Sequence, residues 1–148
     1  MKILFESDSF SIVSSLKKKN TPQIDGVFFH SIKNYALGKK YNLSLVFVGL
    51  KKAKKLNIAY RKKNYAPDIL SFDLDKENGE IYIYPAKVKT KAHEFETSEK
   101  NFLNYLFVHG LAHLQGLDHH TEKDTTKMQN FEKKVCKNFK IDCAGIHN

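Results

Sequence analysis

His109, His113 and His119 stand in an H-x3-H-x5-H arrangement within the run His109-Gly110-Leu111-Ala112-His113-Leu114-Gln115-Gly116-Leu117-Asp118-His119. Residues four apart on a helix share a face, so His109 and His113 can aim ring nitrogens at one point. Gly116 offers the left-handed backbone that a residue with a Cβ adopts reluctantly, and a bend there can return His119 to the same point. Three neutral imidazoles form a transition-metal ligand set that leans towards zinc, and on a tetrahedral ion they leave the fourth position to water. That open position marks a catalytic rather than a structural ion, so the expectation is one Zn2+ per chain. With only 7 His among 148 residues, chance seldom produces this spacing. The competing reading, two core or surface histidines plus a loop histidine, leaves the glycine turn unexplained.

The same spacing matches the metzincin protease frame H-E-x-x-H-x-x-G-x-x-H in all but one place, because Gly110 stands where a protease carries its Glu. That Glu takes the proton from the attacking water, so a peptidase reading lacks its base. Asp118 has three readings: it orients an imidazole by accepting its second N–H, it receives a proton from water, or it caps a helix. His120 reads as solvent-facing, with phosphate contact as its alternative. His30, His93 and His147 have no motif around them and read as surface or partly packed residues.

Lys and Arg number 25 against 16 Asp and Glu, a net charge of +9. A polyanion is the first partner to test for such a chain, because phosphate contacts release counterions; a solubility charge is the plain alternative. Arg61 is the only arginine, and so the only planar, permanently charged, bidentate fork in the chain. Lys51, Lys52, Lys54, Lys55, Lys62 and Lys63 cluster around it, either tracking a nucleic-acid backbone or forming a solvated helix face. Tyr60 and Tyr65 can stack bases or pack against a core.

The elements that must position these groups follow from periodicity. A short strand is expected over residues 2–6, then a polar, Lys-rich surface connection through Lys17-Lys18-Lys19-Asn20. A helix is expected from Thr21-Pro22, with Ile24, Val27, Phe28, Ile32, Tyr35 and Ala36 at helical spacing and Gly38 as its stop. Leu43–Val48 reads as a buried strand, and about Lys51–Arg61 as a short basic helix. Asp68–Phe72 and Glu80–Tyr84 read as strands joined in a hairpin, its turn at Asn78-Gly79. The histidine helix is expected over about Ser98–Gln115. Thr121 with Asp124 opens a last helix whose apolar stripe is Met128, Phe131, Val135 and Phe139. Strands and helices are interspersed, which predicts an α+β fold with helices packed on a mixed sheet and residues 1–148 as a single domain; strand order is not readable. Cys136 and Cys143 make no C-x-x-C motif, in keeping with a reducing compartment. Acidic residues interrupt the N-terminus, and the uncharged run 101–117 is too short and polar to span a bilayer. The expectation is a soluble, intracellular protein with no membrane partner.

The histidine run resembles the H-G-x-L-H-L-x-G-Y-D-H signature of the YbeY family, bacterial zinc-dependent endoribonucleases acting in ribosomal RNA maturation. Leu56-Asn57-Ile58-Ala59-Tyr60-Arg61-Lys62-Lys63-Asn64-Tyr65-Ala66-Pro67-Asp68-Ile69-Leu70-Ser71-Phe72 is similar to the family's L-N-x-x-Y-R-x-K-D-x-x-T-D-V-L-S-F segment, and Gly79-Glu80-Ile81-Tyr82-Ile83 resembles its G-D-I-x-I strand. The likeness covers about residues 43–135. Ala112, Leu117 and Asn64 depart from the usual Leu, Tyr and Asp, and none of them is a presumed ligand. The resemblance implies a zincin-like metal-binding helix, with His109, His113 and His119 holding zinc. It places Arg61 on the family's functional arginine, where a guanidinium can grip the scissile phosphate. Asp118 stands beside it as a catalytic candidate, and Lys54, Lys55, Lys62 and Lys63 as RNA contacts. The implied activity is single-strand-specific endoribonuclease cleavage at the 3′ end of small-subunit (16S-type) rRNA in the cytoplasm, with the small ribosomal subunit and assembly factors as partners. The proton's destination stays open among the phosphate, Asp118 and a water chain, as does attack by the RNA 2′-hydroxyl. Two alternatives remain: an rRNA-binding assembly factor with an architectural zinc, and a metal hydrolase of another substrate.

Overall fold

In a computed structural model, which describes residues 1–146, five strands and five helices follow one another. They are β1 (Lys2–Glu6), β2 (Phe10–Ser14), α1 (Gly26–Leu37), β3 (Asn42–Phe47), α2 (Leu50–Arg61), β4 (Ile69–Asp75), β5 (Asn78–Ile83), α3 (Pro85–Glu94), α4 (Glu99–Leu114) and α5 (Glu122–Phe139). The strands form one mixed sheet in the order β1-β2-β3-β5-β4. β2, β3 and β5 run parallel, and antiparallel β1 and β4 close the two edges. The expected α+β class, helices on a mixed sheet, is the class observed. His147 falls outside the described residues.

β3 is central because it is apolar on both faces, as a strand covered on both sides must be. Leu43, Leu45 and Phe47 join the main core with Phe10 and Ile12 of β2, Ile81 and Ile83 of β5, and the helices α1, α4 and α5. Val46 points the other way, into a smaller cluster with Val48, Ala53 of α2 and Ala66. α4 touches α1, α3, α5 and β4. It is therefore buried nearly all round from Phe102 to Leu114, which is why its sequence shows little amphipathic contrast. The helix that carries two of the histidines is thus the most firmly embedded element of the fold.

Four expectations need correction. The stretch before the lysines is not all surface connection: β2 pairs with β3, its residues Phe10, Ile12 and Ser14 buried in alternation. α1 opens at Gly26 rather than at Thr21-Pro22. Asp25 caps it by accepting the Phe28 N–H at 3.1 Å, while the Thr21 hydroxyl is spent on Ser14 and the Lys17 carbonyl, so the capping acid wins. The β4–β5 turn lies at Lys76-Glu77, where the Asp75 carboxylate accepts the Glu77 N–H (2.9 Å) and the Asn78 amide (2.8 Å). Gly79 sits inside β5 instead, and a Cβ there would run into the Tyr41 hydroxyl. Finally, α3 had no counterpart among the expected elements, because only Val88 and Ala92 of it are buried.

Candidate metal centre

The end of α4 brings the histidines together. The His109 and His113 ring centroids lie 4.8 Å apart, their planes nearly perpendicular at 89°. Gly116 takes φ +85°, and the Gly116 and Leu117 N–H groups donate back to the His113 and Ala112 carbonyls at 2.9 and 3.1 Å. This is the glycine-terminated helix end expected at that position. The reversal carries His119 to within 5.8 Å of His113, centroid to centroid. Three imidazoles sharing one tetrahedral zinc, with Zn–N of about 2.0–2.1 Å, hold their centroids about 5 Å apart, close to both spacings. Among the described residues no three His, Cys, Asp or Glu side chains are closed to metal-holding geometry, so the fit to a metal rests on ring convergence and on nitrogen chemistry. That chemistry is favourable. Burial, then the neighbouring His109, His119 and Arg61, push the His113 pKa down to about 4 against the opposing pull of Asp118. Its imidazole is therefore neutral at pH 7, with a lone pair to give.

Glu132, on α5, was not among the sequence candidates. Its Oε2 stands 2.5 Å from His109 Nδ1, with both side chains buried. The available signal was an acid placed beside the Met128–Val135 apolar stripe, one turn after Met128, on a face that otherwise goes inward. Asp118 contacts the neighbouring His120. Its Oδ1 accepts the His120 N–H at 3.2 Å, and its Oδ2 lies 3.7 Å from His120 Nε2. Thr121, not Asp118, caps α5 by accepting the Asp124 N–H at 3.1 Å. His120 itself is solvent-facing, as expected, with 85% of its side chain exposed. His30 is half-buried beside Phe5 and Phe10, and His93 is exposed; neither lines the cleft that holds the triad.

His109, His113, His119 and Asp118 line a cleft of about 810 Å³ together with Tyr60 and Arg61, from the end of α2, and Tyr65. α2 is held there by buried Asn57, whose amide donates to the Tyr65 carbonyl at 2.9 Å. Exposed Lys62 and Lys63 follow Arg61 in sequence but do not line the cleft, and Lys54 and Lys55 border a separate groove with Ile58 on α2. Besides Arg61, the cleft's cations Lys87 and Lys91 come from α3. Lys91 Nζ lies 3.1 Å from buried Asp68. Lys87 donates to the Ala66 carbonyl at 3.2 Å and sits 5.2 Å over the Tyr65 ring. Neither lysine stood out in the sequence, because the helix that carries them did not. Tyr60 and Tyr65, 68% and 43% exposed, also line the cleft.

The structure also explains Gly110. Its missing Cβ would point at the sheet, 2.8 Å from Ile69 Cδ1 and 3.0 Å from Ile81 Cδ1, not into the cleft. A protease-like Glu at this position would bury an unpaired carboxylate between β4 and β5. Gly110→Glu is expected to lower stability by about 3 kcal/mol or more, read as a fall in the urea midpoint, and to confer no peptidase turnover. An unchanged midpoint would contradict this packing.

Comparison with known proteins follows the same lines. The family model described as Endoribonuclease YbeY matches residues 7–140. An Endoribonuclease YbeY of Spiroplasma citri is 33% identical over 132 residues, 80% of this chain and 84% of that one. The protein of the same name from Mesomycoplasma hyopneumoniae (strain 7448) is 32% identical over 139 residues, 87% of this chain and 93% of the relative. The solution structure of TM1509 from Thermotoga maritima superposes with a TM-score of 0.53 at 20% identity, covering 88% of this chain and 91% of that one, which supports the fold.

Proposed function

Because the chain belongs to the YbeY family, we propose that it is a metal-dependent, single-strand-specific endoribonuclease acting in rRNA processing, at the 3′ end of small-subunit rRNA, and in ribosome assembly in the cytoplasm. The observation that carries this reading is the presence of His109, His113, His119 and Arg61 in one cleft. No described helix is long and apolar enough to cross a membrane.

His109, His113 and His119 would hold the ion through ring nitrogens. When bound, zinc supplies a Lewis acid for a phosphoryl oxygen and makes a water molecule more acidic. The remaining work falls to the chain. Arg61, at the rim, offers two parallel N–H groups to the scissile phosphate and offsets the charge that develops on its oxygens. Lys87 and Lys91 add positive potential along the wall, and Tyr60 and Tyr65 give unpaired bases a surface to stack on, which favours single strands over duplex. Of the cleft carboxylates, Asp68 is committed to Lys91, whereas Asp118 keeps 41% of its side chain exposed and contacts His120. Asp118 is thus the better-placed acceptor for the proton that leaves the attacking oxygen.

The test is cleavage by purified, zinc-loaded protein of a single-stranded RNA carrying the 3′ end of small-subunit rRNA, beside the same sequence as a duplex. Cutting of the single strand alone, abolished by a chelator and restored by zinc, is expected. RNA that is bound but never cut would leave the assembly-factor reading in its place. Turnover of simple phosphodiesters without preference for RNA would point to a hydrolase of another substrate.

A further inference from the structure

We infer that Glu132 is a positioning residue for the candidate metal centre: its buried carboxylate fixes the proton of His109 on Nδ1, so that Nε2 turns its lone pair to the point shared with His113 and His119. This inference rests on the metal reading proposed above and adds a residue that lies outside the histidine motif. An ionised carboxylate only accepts, so at 2.5 Å the bond to His109 requires a proton on Nδ1. Nε2 is then the nitrogen left to ligate. The Tyr105 ring stacks on the imidazole at 6.0 Å and 26°, restraining the rotation that would exchange the two nitrogens.

The carboxylate comes from a different element, 23 residues downstream on α5, with 9% of its side chain exposed. Burying such a group is costly unless it is paired, and its hydrogen-bond partner is His109. A cation held by His109 would balance the buried carboxylate's charge through the histidine. This is the arrangement that raises ligand basicity and orients ligands at metal centres generally. A purely structural link between α4 and α5 would need only a hydrogen-bond acceptor, which separates the two roles by experiment.

The proposal is tested on the full chain with Glu132→Gln and Glu132→Ala, folding being checked by circular dichroism. In metal-free, 15N-histidine-labelled wild type at pH 8, His109 should show the Nδ1–H tautomer; in Glu132→Ala it should move towards Nε2–H. Zinc affinity, measured by competition with a chromophoric chelator, should fall about 10- to 100-fold in Glu132→Ala. Glu132→Gln keeps an acceptor and loses the charge, so it should keep the tautomer yet still bind zinc several-fold more weakly; it carries the test alone if the alanine variant fails to fold. An Nε2–H tautomer in wild type, or wild-type zinc affinity in both folded variants, overturns the inference. Wild type that shows the Nδ1–H tautomer but holds no zinc overturns the metal reading, and the positioning role with it, whereas weakened zinc binding in a variant of an RNA-inactive wild type supports the role and faults only the RNA reading.

Discussion

His113→Ala is expected to hold almost no zinc and to cut single-stranded RNA at least about 10³-fold more slowly than wild type, while keeping its fold. The loss is large because one of three imidazoles disappears from the ion's shell, and two ligands from a helix and its bend seldom retain zinc against buffer. The fold should survive because His113 is only half-buried at the last turn of α4, while the residues that seat that helix, such as Phe102, Leu106, Phe107 and Leu111, remain in place. The removed ring is also one that burial and positive neighbours hold neutral, with a pKa near 4, so the variant forfeits no favourable buried charge. Metal analysis, circular dichroism and a cleavage assay on one preparation decide the matter. Retained zinc with undiminished cleavage would refute the three-histidine site. A chain that unfolds together with metal loss would mean that the ion is architectural.

The second large effect concerns Arg61. Arg61→Ala should retain zinc and lose about 10²- to 10³-fold in kcat, the scale seen when one preorganised donor to a developing oxyanion is removed. Arg61→Lys should recover only part of this, since an ammonium is a point charge without the paired N–H geometry that matches a phosphate. The split between constants is informative: a residue that merely attracted RNA would raise KM and leave kcat alone. The guanidinium also helps depress the His113 pKa, so its removal lets that pKa rise towards the ordinary value, and zinc binding should not weaken near neutral pH. Wild-type kcat in Arg61→Ala would remove this residue from the reaction.

What was legible in the sequence was local. The i, i+4 spacing of His109 and His113, the glycine that turns the chain after α4, and the apolar run of β3 all depend on residues a few positions apart, so periodicity and turn chemistry reveal them. β2 escaped because five residues rich in Ser give a weak alternation, and its place beside β3 is a long-range pairing. α3 escaped because it buries two side chains and shows lysines on its remaining faces, leaving no stripe to read. With it went Lys87 and Lys91.

The amino-acid sequence by itself determined that three imidazoles can meet at one point and that a single arginine lies upstream of them, since both facts need no more than residue type and helical geometry. Only the tertiary structure decided that Arg61 shares their cleft, that Gly110 is a packing contact with β4 and β5, and that the carboxylate behind His109 is Glu132 rather than the adjacent Asp118. The physical reason is that these pairings are made between separate elements. They depend on how α2, α4 and α5 are seated on a sheet whose strand order no local pattern encodes.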